Sequence, residues 1–462
     1  MLQMVSFMTI GAGVSRWTML HLGAAMIALL LAQALIVWGY VDPINALRAP
    51  ETLVGVHLMT IGWLSLLMLG ALYQFVPVIT NSNLFSQNLP IIGFVSISIG
   101  LCGMVAGFVA LGGNDLVPLA CLPVGGTLVL IGLVIGAFNI GATLWNARPL
   151  PIQAYFVAAG IGFLLLTGTM GLIFALALTL PSPSGWLTQM LQQGLIAHVA
   201  AGLGGWFTLT AMGVSYRLLS MFMLAPEEAS RSTYTALILT PAGLLITMAG
   251  ALFSGGGERI SLLVLSGAAM AGLGIVFYLA DVSHLYHIRK RRHLELNSMA
   301  AAAALGCLAL SVLATAVVVV TKTFELHAGA LGYLFVFGWL SGLGLSQLYK
   351  IVPFMTWLDV FGKRLGKGPV PRVQDLVEER RARHWFVLYF GSVIVATVAV
   401  FFSDSSVFLF ASYVQLAATG LIGFELWQAR HPDPNAKPKM PMRGSPLPFD
   451  KPKPSLPQTH GD

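Results

Sequence analysis

Charged residues are scarce in this chain. Asp, Glu, Lys and Arg make up 9% of its 462 positions, against about 25% in a soluble globular protein, which excludes an ordinary soluble enzyme. Cysteine is scarcer still: Cys102, Cys121 and Cys307 are the only three. They fall inside apolar runs, without the paired spacing of a zinc site, a disulfide or a covalent heme attachment, and read as packing residues. The middle of the apolar runs holds no Asp, Glu or Lys, so proton pumping through buried carboxylates has little support. The chain also lacks a polar stretch long enough to fold as a separate soluble domain.

Hydrophobic residues fill 56% of the chain. They come in runs of about 20 or more, the length that crosses about 30 Å of hydrocarbon as a helix. Twelve runs are legible: 17–40, 52–79, 88–112, 116–143, 150–180, 190–222, 232–254, 259–287, 298–321, 324–356, 384–403 and 406–428. The first is too long for a signal-peptide core and reads as a retained helix. The expected fold is an all-α integral membrane protein of twelve transmembrane helices over 17–428, with a cytoplasmic tail at 1–16 and a Pro-rich basic tail at 429–462. A cytoplasmic loop at 357–383 is broken by Gly362, Gly366, Gly368, Pro369 and Pro371, and its charged stretch Asp375 to Arg383 reads as a short surface helix.

Lys and Arg stay on the cytoplasmic side of short loops. With both ends inside, the outer segments hold only Arg48, Arg259 and Lys322, whereas the inner ones hold Arg16, Arg148, Arg217, Arg231, Lys350, Lys367 and the cluster Arg289, Lys290, Arg291, Arg292. The net charge of +7 therefore belongs to one membrane face, where it meets anionic lipid, and says nothing in favour of nucleic acid.

Self-similarity is the most specific signal. Gly62-Trp63 is followed by Tyr73-Gln74 and Pro77; Gly205-Trp206 by Tyr216-Arg217 and Ser220; Gly338-Trp339 by Tyr349-Lys350 and Pro353, all at the same internal spacing. The tryptophans are 143 and 133 residues apart, the length of four helices with their loops. The runs concerned are the second, sixth and tenth, so three pseudo-symmetric four-helix blocks are expected. Each of the three also carries a histidine ahead of its Gly-Trp pair: His57, His198 and His327. All three fall within about 5 to 12 Å of the outer boundary. An imidazole in hydrocarbon marks a functional site with a partner, and neutral imidazole is the usual protein ligand of heme iron and copper. Flanking small residues such as Gly55, Gly62, Gly202 and Gly329 would either make room for a porphyrin or serve close helix packing. His284 and His287 lie just before the basic cluster and read as part of a basic interface.

Twelve helices, repetition in blocks of four, and outer-side histidines on helices two, six and ten resemble subunit I of the heme-copper oxidase superfamily. In that family helix two supplies one axial ligand of a low-spin heme and helix ten the other, from the second position of a His-x-His motif. The resemblance implies that His57 and His327 hold such a heme, bis-His and b-type, in a bacterial inner membrane, with a cytochrome or small membrane subunit as partner. Its oxygen-reducing centre is incomplete here. Glu325 replaces the first histidine of the motif, Gly202 stands where helix six commonly has a tyrosine, and residues 223–283 lack the histidine pair that completes the copper site around His198.

Counted from each repeat tryptophan at 100° per residue, His57 and His327 point about 120° apart. Their registers differ by six residues, about 9 Å along the axis, so a tilt or a local break must bring them to one iron. The leading expectation is a heme-binding electron-transfer or heme-sensing protein. One alternative is a divergent terminal oxidase or nitric-oxide-handling enzyme completed by Glu325 or a partner subunit. Another is a heme-free copper or small-solute transporter using His57, His198 and His327 as metal ligands, although Met4, Met8, Met221 and Met223 are scattered rather than clustered.

Overall fold

In hydrocarbon each backbone N–H and C=O has to be satisfied without water, which restricts a spanning segment to a helix or a closed barrel. A computed structural model describes residues 15–226, 229–253, 261–365 and 369–433, and among them there are helices and no strands. Twelve helices are long and apolar enough to cross a membrane: α1 Arg16–Val37, α2 Pro50–Thr80, α3 Leu89–Leu111, α4 Cys121–Asn146, α5 Ile152–Thr179, α6 Leu195–Met223, α7 Arg231–Phe253, α8 Leu262–Ile288, α9 Leu296–Val320, α10 Phe324–Arg364, α11 Glu379–Phe401 and α12 Ser405–Arg430. The arrangement is that of a multi-pass membrane protein. Arg259, Gly366, Lys367, Gly368, Met4, Met8, and nearly all of both tails lie outside the described residues.

Two boundaries differ from expectation. The α-helical part of α10 runs on to Phe361, past the expected end at 356. No separate surface helix covers 375–383: a short 3-10 turn, Val373–Leu376, is followed by Glu379, which opens α11. The physical reason is pairing. Arg381, in that first turn, makes two hydrogen bonds to the Glu425 carboxylate of α12, at 2.5 and 2.9 Å, so the charged stretch continues a helix already anchored to its neighbour. A short helix, Gly185–Gln193, also precedes α6 as a separate element.

Small residues set the closest approaches. Between α3 and α4 a Cβ on Gly100 would come within 2.6 Å of the Val129 backbone nitrogen; between α7 and α8 one on Gly243 would come within 2.4 Å of that of Ala271. Backbones this close gain dispersion contacts that larger residues would prevent. The same argument explains the glycine of each Gly-Trp pair. A Cβ on Gly62 would lie 2.7 Å from Ala28 of α1, on Gly205 2.3 Å from Phe163 of α5, and on Gly338 2.9 Å from Cys307 of α9. Each repeat glycine is thus seated on the helix immediately before its own in sequence, and buried Cys307 is a packing residue as expected.

All three repeat helices are wound locally as π-helix at one register: Leu58–Ser65, Ala200–Leu209 and Leu334–Ser341. These wider turns contain the three tryptophans, each at most 1% exposed. The indoles tie the helices together. Trp63 donates from Nε1 to Ser341 Oγ of α10 at 2.9 Å, and Trp206 donates to Ser65 Oγ of α2 at 3.2 Å. Repetition places Thr208 in the corresponding position for Trp339. Its hydroxyl donates to the Leu203 carbonyl at 2.7 Å, as that of Ser65 donates to the Thr60 carbonyl at 2.9 Å, yet Trp339 Nε1 is buried without a partner. Two links of a three-link ring are closed.

Candidate functional site

The histidine of α2 is the last residue before its π-helical turns, that of α6 lies two residues before them, and that of α10 seven before. A local break of the kind expected therefore exists. It sits between histidine and tryptophan in both α2 and α10, however, so it does not cancel the six-residue difference between His57 and His327, and uniform counting at 100° per residue does not hold across it.

His57 Nδ1 lies 2.8 Å from the Leu53 carbonyl, one turn back. A carbonyl oxygen only accepts, so Nδ1 carries the proton and Nε2 of the neutral ring keeps its lone pair. A second hydrogen bond of this kind is what holds a metal-ligating imidazole in the right tautomer and orientation. The ring packs against Phe108 of α3, with centroids 4.8 Å apart.

His198 packs against Phe174 of α5, with centroids 5.4 Å apart. Its Nδ1 is buried with no hydrogen bond of ordinary geometry, although the Thr167 backbone lies beside the ring. His327 lies flat on Phe401 of α11, at 3.8 Å and 8° between ring planes, and its Nδ1 is buried without a partner. Each imidazole thus leans on one phenylalanine of a neighbouring helix. Glu325 is exposed at the start of α10.

The N-terminal ends of α2 and α10 meet the same piece of chain. A Cβ on Gly55 would lie 2.7 Å from a Val41 methyl, and one on Gly329 2.4 Å from the Pro43 carbonyl. The loop from α1 to α2 thus rests on α2 two residues before His57 and on α10 two residues after His327. It is held in shape by Asp42, whose Oδ1 accepts from the Ile44 and Asn45 backbone at 2.9 and 3.0 Å and whose Oδ2 accepts from Asn45 Nδ2 at 3.0 Å. Partial burial pushes the Asp42 carboxyl up, but these hydrogen bonds from Asn45 and Ile44 outweigh it and hold the group below the usual carboxylate range. Gly55, Gly62 and Gly329 therefore serve close packing against protein, and Gly202 likewise approaches Thr167, at 3.3 Å from its methyl.

Among the described residues no group of three or more His, Cys, Asp or Glu side chains gathers as a metal cluster. An iron gripped between two axial imidazoles takes only two protein ligands and is not a group of that kind. The chain matches no protein-family model and no curated protein.

A fourth imidazole is buried in the bundle. His21 of α1 is fully buried between the rings of Tyr73 and Phe94, at 5.4 and 4.9 Å. Its Nδ1 bonds the Trp17 carbonyl at 2.8 Å, and its Nε2 has no partner. A Cβ on Gly70, one turn from the repeat Tyr73, would lie 2.6 Å from that of His21; no residue near His21 in sequence signals this burial. His284 and His287 are both exposed, as a basic interface requires. Charged groups within the spans are engaged with protein: Lys350 with Glu295 at 2.5 Å, and Asp281 with the Tyr216 and Thr233 hydroxyls, both at 2.9 Å.

Proposed function

We propose that this chain is a heme-binding membrane redox protein in which His57 and His327 are the two axial ligands. The observation that carries the reading is the His57 imidazole, whose Nδ1 is committed to the Leu53 carbonyl so that Nε2 is left as a lone pair within the membrane. Its helix shares the Val41 to Pro43 loop with the helix that bears His327, and His327 has a flat aromatic support in Phe401. Iron closed by two imidazoles has no open position for a gas, and the chemistry it supplies is one-electron transfer. The protein's part is to fix the tautomer of His57, hold both rings against phenylalanines, and exclude water. In this reading the helices form three pseudo-symmetric four-helix blocks in a bacterial inner membrane, with both termini cytoplasmic and a cytochrome or small membrane subunit as electron partner.

A reduced-minus-oxidised spectrum of purified protein tests it. A b-type band is expected, lost in both His57→Ala and His327→Ala and kept in His198→Ala. A spectrum without any heme band sinks the reading, as does unchanged heme content in both of the first two variants.

A second reading rests on His198, whose Nδ1 is buried without a hydrogen-bond partner. In it the repeat histidines handle copper or a small solute near the outer face, or form part of a divergent oxygen- or nitric-oxide-reducing centre. Elemental analysis separates the two: iron with porphyrin supports the first, and copper lost in His198→Ala supports the second.

A further inference from the structure

The connection between α4 and α5 leaves a groove of about 220 Å³ lined by Gly141, Leu144, Trp145, Arg148, Tyr155 and Ala158 among others. Trp145 and Tyr155 are 67% and 50% exposed, and nearby Phe138 of α4 and Leu166 of α5 are 58% and 41% exposed, so this side of the bundle faces hydrocarbon. Gly141 opens the groove, because no atom lies within 4 Å of where its Cβ would stand. Arg148 stands beside it, its guanidinium 4.0 Å above the Trp145 ring. Arg291, Lys350, Arg372, Arg381 and Arg430 are all paired with carboxylates, whereas among the described residues none pairs with Arg148.

We infer that this groove is a binding site for one anionic phospholipid. A guanidinium stacked on an indole keeps its edge N–H groups free and fixed, the geometry that suits a phosphate. Trp145 and Tyr155 are the residue types that sit at headgroup level, and the apolar lining below them takes an acyl chain. A lipid phosphate is favoured over a free one because the groove supplies as much apolar wall as charge. The inference is independent of the heme reading.

The test is native mass spectrometry of the full chain, titrated with phosphatidylglycerol or phosphatidylcholine of identical acyl chains. Wild type is expected to bind phosphatidylglycerol about fivefold more tightly, as one basic residue near the interface contributes. Arg148→Gln should abolish that preference, since the side chain is exposed and unpaired. Gly141→Phe, or Gly141→Leu if the larger residue disturbs folding, should weaken both lipids by filling space that is open in the wild type. Inorganic phosphate should not displace bound lipid. Equal affinity of wild type for the two lipids, a preference that survives Arg148→Gln, unchanged binding in both Gly141 variants, or displacement by phosphate alone overturns the inference.

Discussion

Trp63 and Ser341 offer a direct measure of what joins α2 to α10. Both residues are fully buried, and the indole donates to the serine at 2.9 Å. Ser341→Ala leaves the Trp63 N–H without an acceptor where no water reaches it. In a soluble core such a loss costs about 1–3 kcal/mol. Inside a membrane the unfolded reference also finds partners, and measured couplings average about 0.6 kcal/mol with a maximum of about 1.7. A double-mutant cycle with Trp63→Phe and Ser341→Ala should thus give a coupling of about 0.6–1.7 kcal/mol, read from equilibrium unfolding in mixed micelles by circular dichroism. The Trp206 and Ser65 pair, at 3.2 Å, should couple to a similar or smaller extent. The ring provides its own control, because Trp339 has no acceptor: Trp339→Phe with Thr208→Val should couple by less than about 0.3 kcal/mol, within ordinary additivity. Coupling at the open link as strong as at the closed ones, or none at Trp63 and Ser341, would refute the reasoning.

Gly205→Ala should destabilise by about 1–3 kcal/mol through overpacking, since its Cβ would lie 2.3 Å from Phe163, while Gly141→Ala, in a helix interior facing open space, should stabilise by up to about 1 kcal/mol; thermal unfolding in detergent compares them. Heme content should track His57 and His327 and be indifferent to His198, by pyridine hemochrome assay of the purified variants. Burial pushes the Glu295 carboxyl up, but Lys350 and Arg291 outweigh it and hold the group below its ordinary range. Its folded pKa is therefore the lower one, so its stabilising contribution is complete above the unfolded carboxylate range and disappears as pH falls through the folded value. Glu295→Gln should flatten the acid limb of a stability–pH curve, and an identical limb in wild type and variant would contradict that assignment.

The repeat shows how far local pattern reaches. Gly62, Gly205 and Gly338 were visible as a motif, yet that each presses on the helix immediately before its own follows only from the packed helices. The three repeat histidines were visible by their place ahead of each Gly-Trp pair, and a carbonyl one turn back is within reach of a helical imidazole, as for His57, His21 and His287, whereas Nδ1 of His198 and His327 lacks such a bond. Nothing local predicts Phe108, Phe174 and Phe401 as their supports, because these lie on other helices. His21 was passed over for the same reason: its burial depends on Gly70 and Phe94, not on its own neighbours in sequence.

The apolar runs by themselves determined a polytopic helical protein, because crossing hydrocarbon is a demand on each segment separately, met by about 20 residues whose backbone bonds are internal. Twelve spans and a motif on every fourth of them follow from the order of residues alone. Tertiary packing alone decided the π-helical turns, the direction of the indole donors, the open link at Trp339 and the pairing of Arg381 with Glu425. Those depend on how each helix is rotated and tilted against partners far away in sequence, and the interlocking of facing side chains, which hydropathy does not encode, sets that rotation.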